Sequence, residues 1–154
     1  MKINNLIEKK RLELGLTNSQ VAKLVGLSIH EYSDIEDDPD ETLTVLPLKG
    51  LMKLCKVLEI DIFTLLREVN VLDKEYYDDV KENIPLNLII KHKREQSGLT
   101  CEELGDKIGF YEQAIIDMET DPGYLESWPI EPILRVCKEL GLSLYLVIKP
   151  GRLG

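Results

Sequence analysis

The sequence predicts an all-α protein made of two tandem copies of one small helical unit, with a short β-strand near the C-terminal end. An internal repeat is the first observation behind this. Lys10, Arg11, Gly15-Leu16-Thr17, Gly26, Asp34, Glu36, Asp38 and Pro39 recur, in the same order and at the same spacing, as Lys93, Arg94, Gly98-Leu99-Thr100, Gly109, Asp117, Glu119, Asp121 and Pro122. After a one-residue slip the echo continues, with Cys55-Lys56 and Leu58 matched by Cys137-Lys138 and Leu140. The step from Lys10 to Lys93 is too long for a solenoid repeat, whose units run to roughly 20 to 50 residues, so the copies are two small domains. Helical periodicity within each copy is the second observation, and strict alternation of apolar residues from Leu142 to Ile148 is the third. The expected boundaries are 1–72 for the first domain, 73–84 for a charged connector and 85–154 for the second domain with its strand.

In the first copy Leu6, Ile7, Lys10, Arg11 and Leu14 follow a 3.6-residue period that stops at Gly15, a helix with a C-terminal glycine. Thr17 begins the next helix, with Gln20 three residues on completing a capping-box pattern and Val21, Leu24 and Val25 forming the apolar face. That helix ends at Gly26. Ser28 caps a third helix, Ile29 to about Glu36, which turns Tyr32 and Ile35 inward and breaks in the acidic loop containing Pro39. A fourth helix covers Leu48 to Leu58, and a short fifth begins near Ile62. The second copy predicts helices over Leu88–Gln96, Thr100–Ile108, Glu112–Thr120 and Ile130–Leu140. There the parallel is expected to end: Leu142, Leu144, Leu146 and Ile148 alternate with Ser143, Tyr145 and Val147, the period of a strand. The connector has neither Gly nor Ser between Asp73 and Asn83, which argues against a loose linker.

Composition narrows the function classes. At 44% hydrophobic and 31% charged residues the chain reads as a soluble globular protein, and no stretch approaches the roughly 18 uncharged apolar residues of a membrane span. Residues 1–15 contain no secretory h-region, so the expected compartment is the cytoplasm. Cys55 and Cys137 fall in apolar helical segments and read as small core residues, while Cys101, at a helix start, reads as the most exposed thiol. His30 and His92 stand alone, no His/Cys cluster has zinc spacing, and there is no glycine-rich phosphate loop and no recognisable nucleophile with its base. The expectation is a protein that is not an enzyme and has no metal or cofactor. Its net charge of -9 is spread evenly: 9 basic against 12 acidic side chains in 1–72, 2 against 5 in 73–82, and 8 against 11 in 83–154. No basic half hides inside the acidic average.

Arg11, Gly15-Leu16-Thr17, Gln20-Val21-Ala22, Gly26-Leu27-Ser28 and Ile35-Glu36, in that spacing, resemble the lambda-repressor-like (Cro or Xre) helix-turn-helix family, which binds operator DNA as dimers. The resemblance covers residues 5–66 and again, less closely, 87–141, where Gly105 stands in place of the alanine at Ala22. It implies two tandem lambda-repressor-like helix-turn-helix domains. A small residue at Ala22 lets two helices cross closely, Gly26 makes the turn between them, and Ser28 caps the reading helix. Arg11 and Glu36 are separated by the same stretch of chain as Arg94 and Glu119, and the resemblance implies that each pair forms a partly buried, structural salt bridge.

In that family the exposed start of the third helix enters the major groove. The matching positions are Ser28, Ile29, His30, Ser33 and Asp34, with Asn18 facing the DNA backbone from the helix before. Ser28, His30, Ser33 and Asn18 offer hydrogen bonds, Ile29 an apolar touch to a thymine methyl, and Asp34 an acceptor for cytosine alone. No Arg or Lys lies in this helix, and the loop after it reads Asp37-Asp38-Pro39-Asp40-Glu41. The second copy offers Tyr111, Glu112, Gln113, Ile116 and Asp117, with Cys101 in the backbone position. Two functions compete on these grounds. One is a DNA-binding transcriptional regulator whose first copy reads duplex DNA and whose second copy serves interaction or dimerisation. The other is an acidic protein-interaction module, an antitoxin, immunity or inhibitor protein, that binds a basic protein and not DNA. The run from Leu140 to Pro150 is similar to the strand of some antitoxin regulators of this family, and it predicts a homodimer paired through Leu142, Leu144, Leu146 and Ile148.

Overall fold

The computed structural model of the protein describes residues 2–68 and 84–148. They are all-α, with no β-strand among them. The chain divides into two compact units, Met1–Leu72 and Asp73–Gly154. The charged connector expected over 73–84 lies, apart from Ile84, outside the described residues.

The first unit contains α1 (Ile3–Glu13), α2 (Asn18–Val25), α3 (Ile29–Asp37), the single turn α4 (Glu41–Thr44), α5 (Leu48–Val57) and α6 (Ile62–Glu68). Thr17 starts α2 through a complete capping box, accepting from the Gln20 N–H at 3.1 Å while its own N–H donates to the Gln20 side chain at 2.8 Å. The helix stops at Gly26, whose φ of 77° is the left-handed conformation that releases the last carbonyls and that a side chain disfavours. Ser28 and Glu31 repeat the box at the start of α3, at 3.1 and 3.0 Å. The helices bury Ile3 and Ile7, Val21, Ala22 and Val25, and Tyr32 and Ile35 against Leu48, Leu51, Leu54, Leu65 and Leu66. Each fully buried Leu or Ile contributes about 2 kcal/mol of transfer free energy, so this cluster and not helix propensity holds the unit together. Leu24 does not belong to it. At 52% exposed it lies off the face formed by Val21, Ala22 and Val25, the (i, i+1, i+4) positions that meet α3 and α5.

The second unit repeats this order with α7 (Leu86–Gln96), α8 (Cys101–Ile108), α9 (Glu112–Thr120), a 3-10 turn over Tyr124–Ser127, α10 (Ile130–Leu140) and α11 (Leu144–Ile148). The 3-10 turn holds the place in the repeat that α4 holds in the first unit, and α11, after the slip, holds that of α6.

The strand expected from Leu142 to Ile148 is therefore not formed; Leu144–Ile148 is a helical turn packed on α10. In a run where nearly every residue is apolar, period two and period 3.6 are both satisfied, and the surroundings decide. Leu144, Val147 and Ile148, spaced i, i+3 and i+4, are buried to 2%, 1% and 3% exposure, just as Leu65 and Leu66 are buried in the matching helix of the first unit. A lone strand would leave its backbone groups unpaired, whereas a helical turn satisfies them internally. Leu142, Leu144 and Ile148 thus serve the core of their own unit, and the homodimer paired through a strand of Leu142, Leu144, Leu146 and Ile148 loses its basis, as does the likeness to antitoxin strands. Among the described residues no helix is long and apolar enough to cross a membrane.

Candidate functional site

Each unit places one exposed helix start on a buried ionic mount. In the first, α1 supplies Arg11, whose Nε donates to Glu36 Oε2 at 2.9 Å and whose Nη2 donates to Oε1 at 3.0 Å, a forked pairing of guanidinium and carboxylate. The remaining Nη1 donates to the Leu16 carbonyl at 2.9 Å, which ties the loop before α2 to the same group. Arg94 does the same in the second unit, meeting Glu119 at 2.6 and 2.9 Å and the Leu99 carbonyl at 2.7 Å. The hydrogen bond to the carboxylate, reinforced by its charge, raises both guanidinium groups above their ordinary pKa against the opposing effect of burial.

One further pair of contacts completes the mount. Asn4 Nδ2 donates to the Glu36 carbonyl at 2.9 Å and Asn87 Nδ2 to the Glu119 carbonyl at 3.0 Å. Glutamate is thus held by its backbone from one end of the first helix and by its side chain from the other. Neither asparagine is visible as functional from its own surroundings, yet the two stand at the same position of the repeat, so the repeat itself carries the signal. Tyr32 lies fully buried in the first unit, and burial together with the Glu36 carboxylate pushes its hydroxyl well above the ordinary range.

On this mount the start of α3 faces solvent. Ser28 is exposed as the N-cap, with its hydroxyl oxygen accepting from the Glu31 N–H at 3.1 Å. Ile29 is 47% exposed, His30 and Asp34 are exposed, and Ser33 is half-buried on the same helix. Asn18, half-buried at the first position of α2, stands at the end of α2 that follows the Leu16 loop. The six positions read from the sequence as DNA contacts thus lie at the two helix starts, Asn18 on α2 and the others on or beside α3. Their electrostatics are acidic: α3 has no Arg or Lys, and Glu31, Asp34 and Asp37 are exposed along it. Hydrogen bonds from the Ser28 N–H and hydroxyl hold the Glu31 carboxyl below its usual range, so it is ionised across neutral pH. In the loop beyond, Asp38 Oδ1 accepts from the Asp40 N–H at 2.9 Å, and Asp121 Oδ1 from the Gly123 N–H at 3.0 Å, so these matched carboxylates shape their turns. Lys9 and Lys10 both approach Glu13, at 4.0 and 3.5 Å, on their own helix.

The second unit departs from the first at this surface. Its helix start is Tyr111, with no side-chain cap and 87% of its surface exposed. Gln113 Nε2 donates to Asp117 Oδ1 at 2.9 Å, and Ile116 is half-buried. Cys101, the least buried of the three cysteines, turns its thiol to Glu119 Oε2 at 3.7 Å, and burial followed by that carboxylate raises its pKa, so the position matching Asn18 is absorbed into the ionic mount. Beneath the turn Gly105 has no space for a Cβ, which would lie 2.5 Å from the Phe110 carbonyl oxygen. Phe110 packs its ring on Trp128 at 4.6 Å, with Tyr124 edge-on to Trp128 at 5.8 Å. Arg135 caps the arrangement, its guanidinium 5.1 Å above the Phe110 ring and its Nη1 donating to the Ile108 carbonyl at 2.8 Å. Among the described residues no group of His, Cys, Asp and Glu side chains is placed to hold a metal ion. No family model, curated protein or solved structure matches the chain.

Proposed function

We propose that the chain is a DNA-binding transcriptional regulator of the Cro or Xre helix-turn-helix type, with the start of α3 as its reading element. The observation that carries this reading is the row of exposed Ser28, Ile29 and His30 with half-buried Ser33 on a helix held from both ends of α1, which would give hydrogen-bonding groups a fixed orientation toward a groove. In this reading Asn18, at the start of α2, positions a phosphate. Because α3 contributes no cation, affinity rests on hydrogen bonds and shape, and Asp34 opposes it. Titration of duplex DNA at low and at physiological salt tests the reading: binding at low salt should weaken as salt rises, as counterion release requires. Asp34→Gln should strengthen binding to any sequence, while Asn18→Ala and Ser33→Ala should weaken it.

A second reading has an observation of its own. Neither α3 nor α9 carries an Arg or Lys, and an acidic module that binds a basic protein needs none. No duplex binding even at low salt assigns the chain to that class.

A further inference from the structure

We propose that the exposed face of α9, centred on Tyr111, is a docking surface for a protein segment that presents arginine or lysine side chains. This stands whether or not the first unit reads DNA.

Tyr111 occupies the N-cap position of α9, where the first unit has the capping serine Ser28, and it makes no cap hydrogen bond. A tyrosine there forgoes a favourable cap, and at 87% exposed it gains nothing from burial in return. Its mount is rigid. Phe110, the preceding residue, is fixed by Trp128, by the Arg135 guanidinium and by its own N–H donating to the Gly105 carbonyl at 2.8 Å, with Gly105 leaving no free space below. A large aromatic presented on a rigid backbone loses little entropy when a partner orders it, which is what makes tyrosine effective as an interface anchor.

The rest of the face decides the occupant. Along α9, whose Ile115, Met118 and Glu119 are buried, Glu112, Gln113 and Thr120 are exposed and Ile116 and Asp117 half-buried. Gln113 is held to Asp117, and the helix carries no cation. The adjacent α8 exposes Glu102, Glu103 and Asp106, and its one lysine, Lys107, is engaged by Glu139 at 3.3 Å. A duplex would bring phosphates against these carboxylates, and a second copy of the face would bring the same carboxylates against themselves. A cationic segment meets both features, its charge the carboxylates and its guanidinium or ammonium group the face of the Tyr111 ring.

Calorimetric titration of the intact chain with a nona-arginine peptide tests this against matched variants. Tyr111→Ala and Tyr111→Ser should each weaken binding by about threefold or more, the size of an exposed cation–π contact. Tyr111→Ser also supplies a cap, so it should raise the melting temperature while it lowers affinity, which separates binding from folding. Glu112→Gln with Asp117→Asn should weaken binding further than Asp37→Asn with Asp40→Asn, which removes the same charge from the first unit. Equal losses from both charge pairs, or an unchanged affinity in Tyr111→Ser, would overturn the assignment. Duplex binding or self-association that disappears in Tyr111→Ser would overturn it too, giving the face to DNA or to a second copy.

Discussion

The turn between α2 and α3 and the turn between α8 and α9 share a backbone but not the chemistry that holds it. Gly26 and Gly109 adopt φ of 77° and 80°, and the residue after each donates its N–H to the matched position five back, Leu27 to Ala22 at 2.9 Å and Phe110 to Gly105 at 2.8 Å. Beyond that point the first unit relies on hydrogen bonds, with the reciprocal box of Ser28 and Glu31 starting its helix. The second has no box at α9 and relies on packing, through the stack of Phe110 and Trp128 and the Arg135 side chain. Because packing on one side of the turn replaces capping on the other, the cap position becomes available for a residue selected for another purpose, and Tyr111 occupies it.

The largest expected effect tests whether the two mounts are equivalent. Arg11→Met and Arg94→Met each strand a glutamate that is almost fully buried, so each should destabilise its own unit by about 3 kcal/mol in denaturant titrations followed by amide exchange. A difference between them above about 1 kcal/mol would show that the Cys101 thiol beside Glu119 and the Tyr32 hydroxyl beside Glu36 support their carboxylates unequally. The turns follow. Gly105→Ala drives a methyl group into the Phe110 carbonyl and should cost about 2 kcal/mol, whereas Ala22→Gly, the reciprocal exchange, should cost about 1.5 kcal/mol through backbone entropy and the loss of a buried methyl group. Capping comes next: Ser28→Ala should lose about 1 kcal/mol, and Tyr111→Ser should gain about half of that, since Ala114 at the third position cannot complete a box. The smallest effect is with pH. The Glu31 carboxyl is depressed in the folded chain, so its contribution is complete above the unfolded carboxylate pKa of about 4.3 and is lost as pH falls through the folded value. Glu31→Gln should flatten the acid limb of stability measured between neutral pH and about pH 3, and an unchanged limb would show that the box is dispensable.

Much of the helical order was legible because three of the helix starts carry their own capping chemistry. Thr17 with Gln20, Ser28 with Glu31 and Thr100 with Glu103 are local signals, and all three boxes form. The spacing of Arg11 and Glu36 became readable through its recurrence in Arg94 and Glu119. What failed were readings that depend on tertiary surroundings. Leu24 fits an amphipathic pattern as well as Ala22 does, and only the close crossing of α2 with α3 selects the smaller side chain. The run from Leu142 to Ile148 alternates and also matches i, i+3, i+4; the better guide was the position of α6, one slipped repeat earlier, because a copied unit brings with it the groove that its last helix fills. At the candidate site the exposed positions of α3 were legible, while the inward turn of Cys101 and the Phe110, Trp128 and Arg135 assembly depend on contacts no local pattern encodes.

The matched cysteines give the molecule an internal clock. Cys55 on α5 and Cys137 on α10 are 4% and 2% exposed, and burial pushes each thiol to about 12. The thiolate is therefore scarce at neutral pH while the unit is folded, whereas an unfolded thiol, with its pKa of about 8.5, is far more ionised. Alkylation at either position therefore counts opening events of the unit that contains it. With Cys101, the least buried thiol, replaced by serine, one residue per unit at the same place in the same fold lets a single labelling experiment compare how often each half breathes.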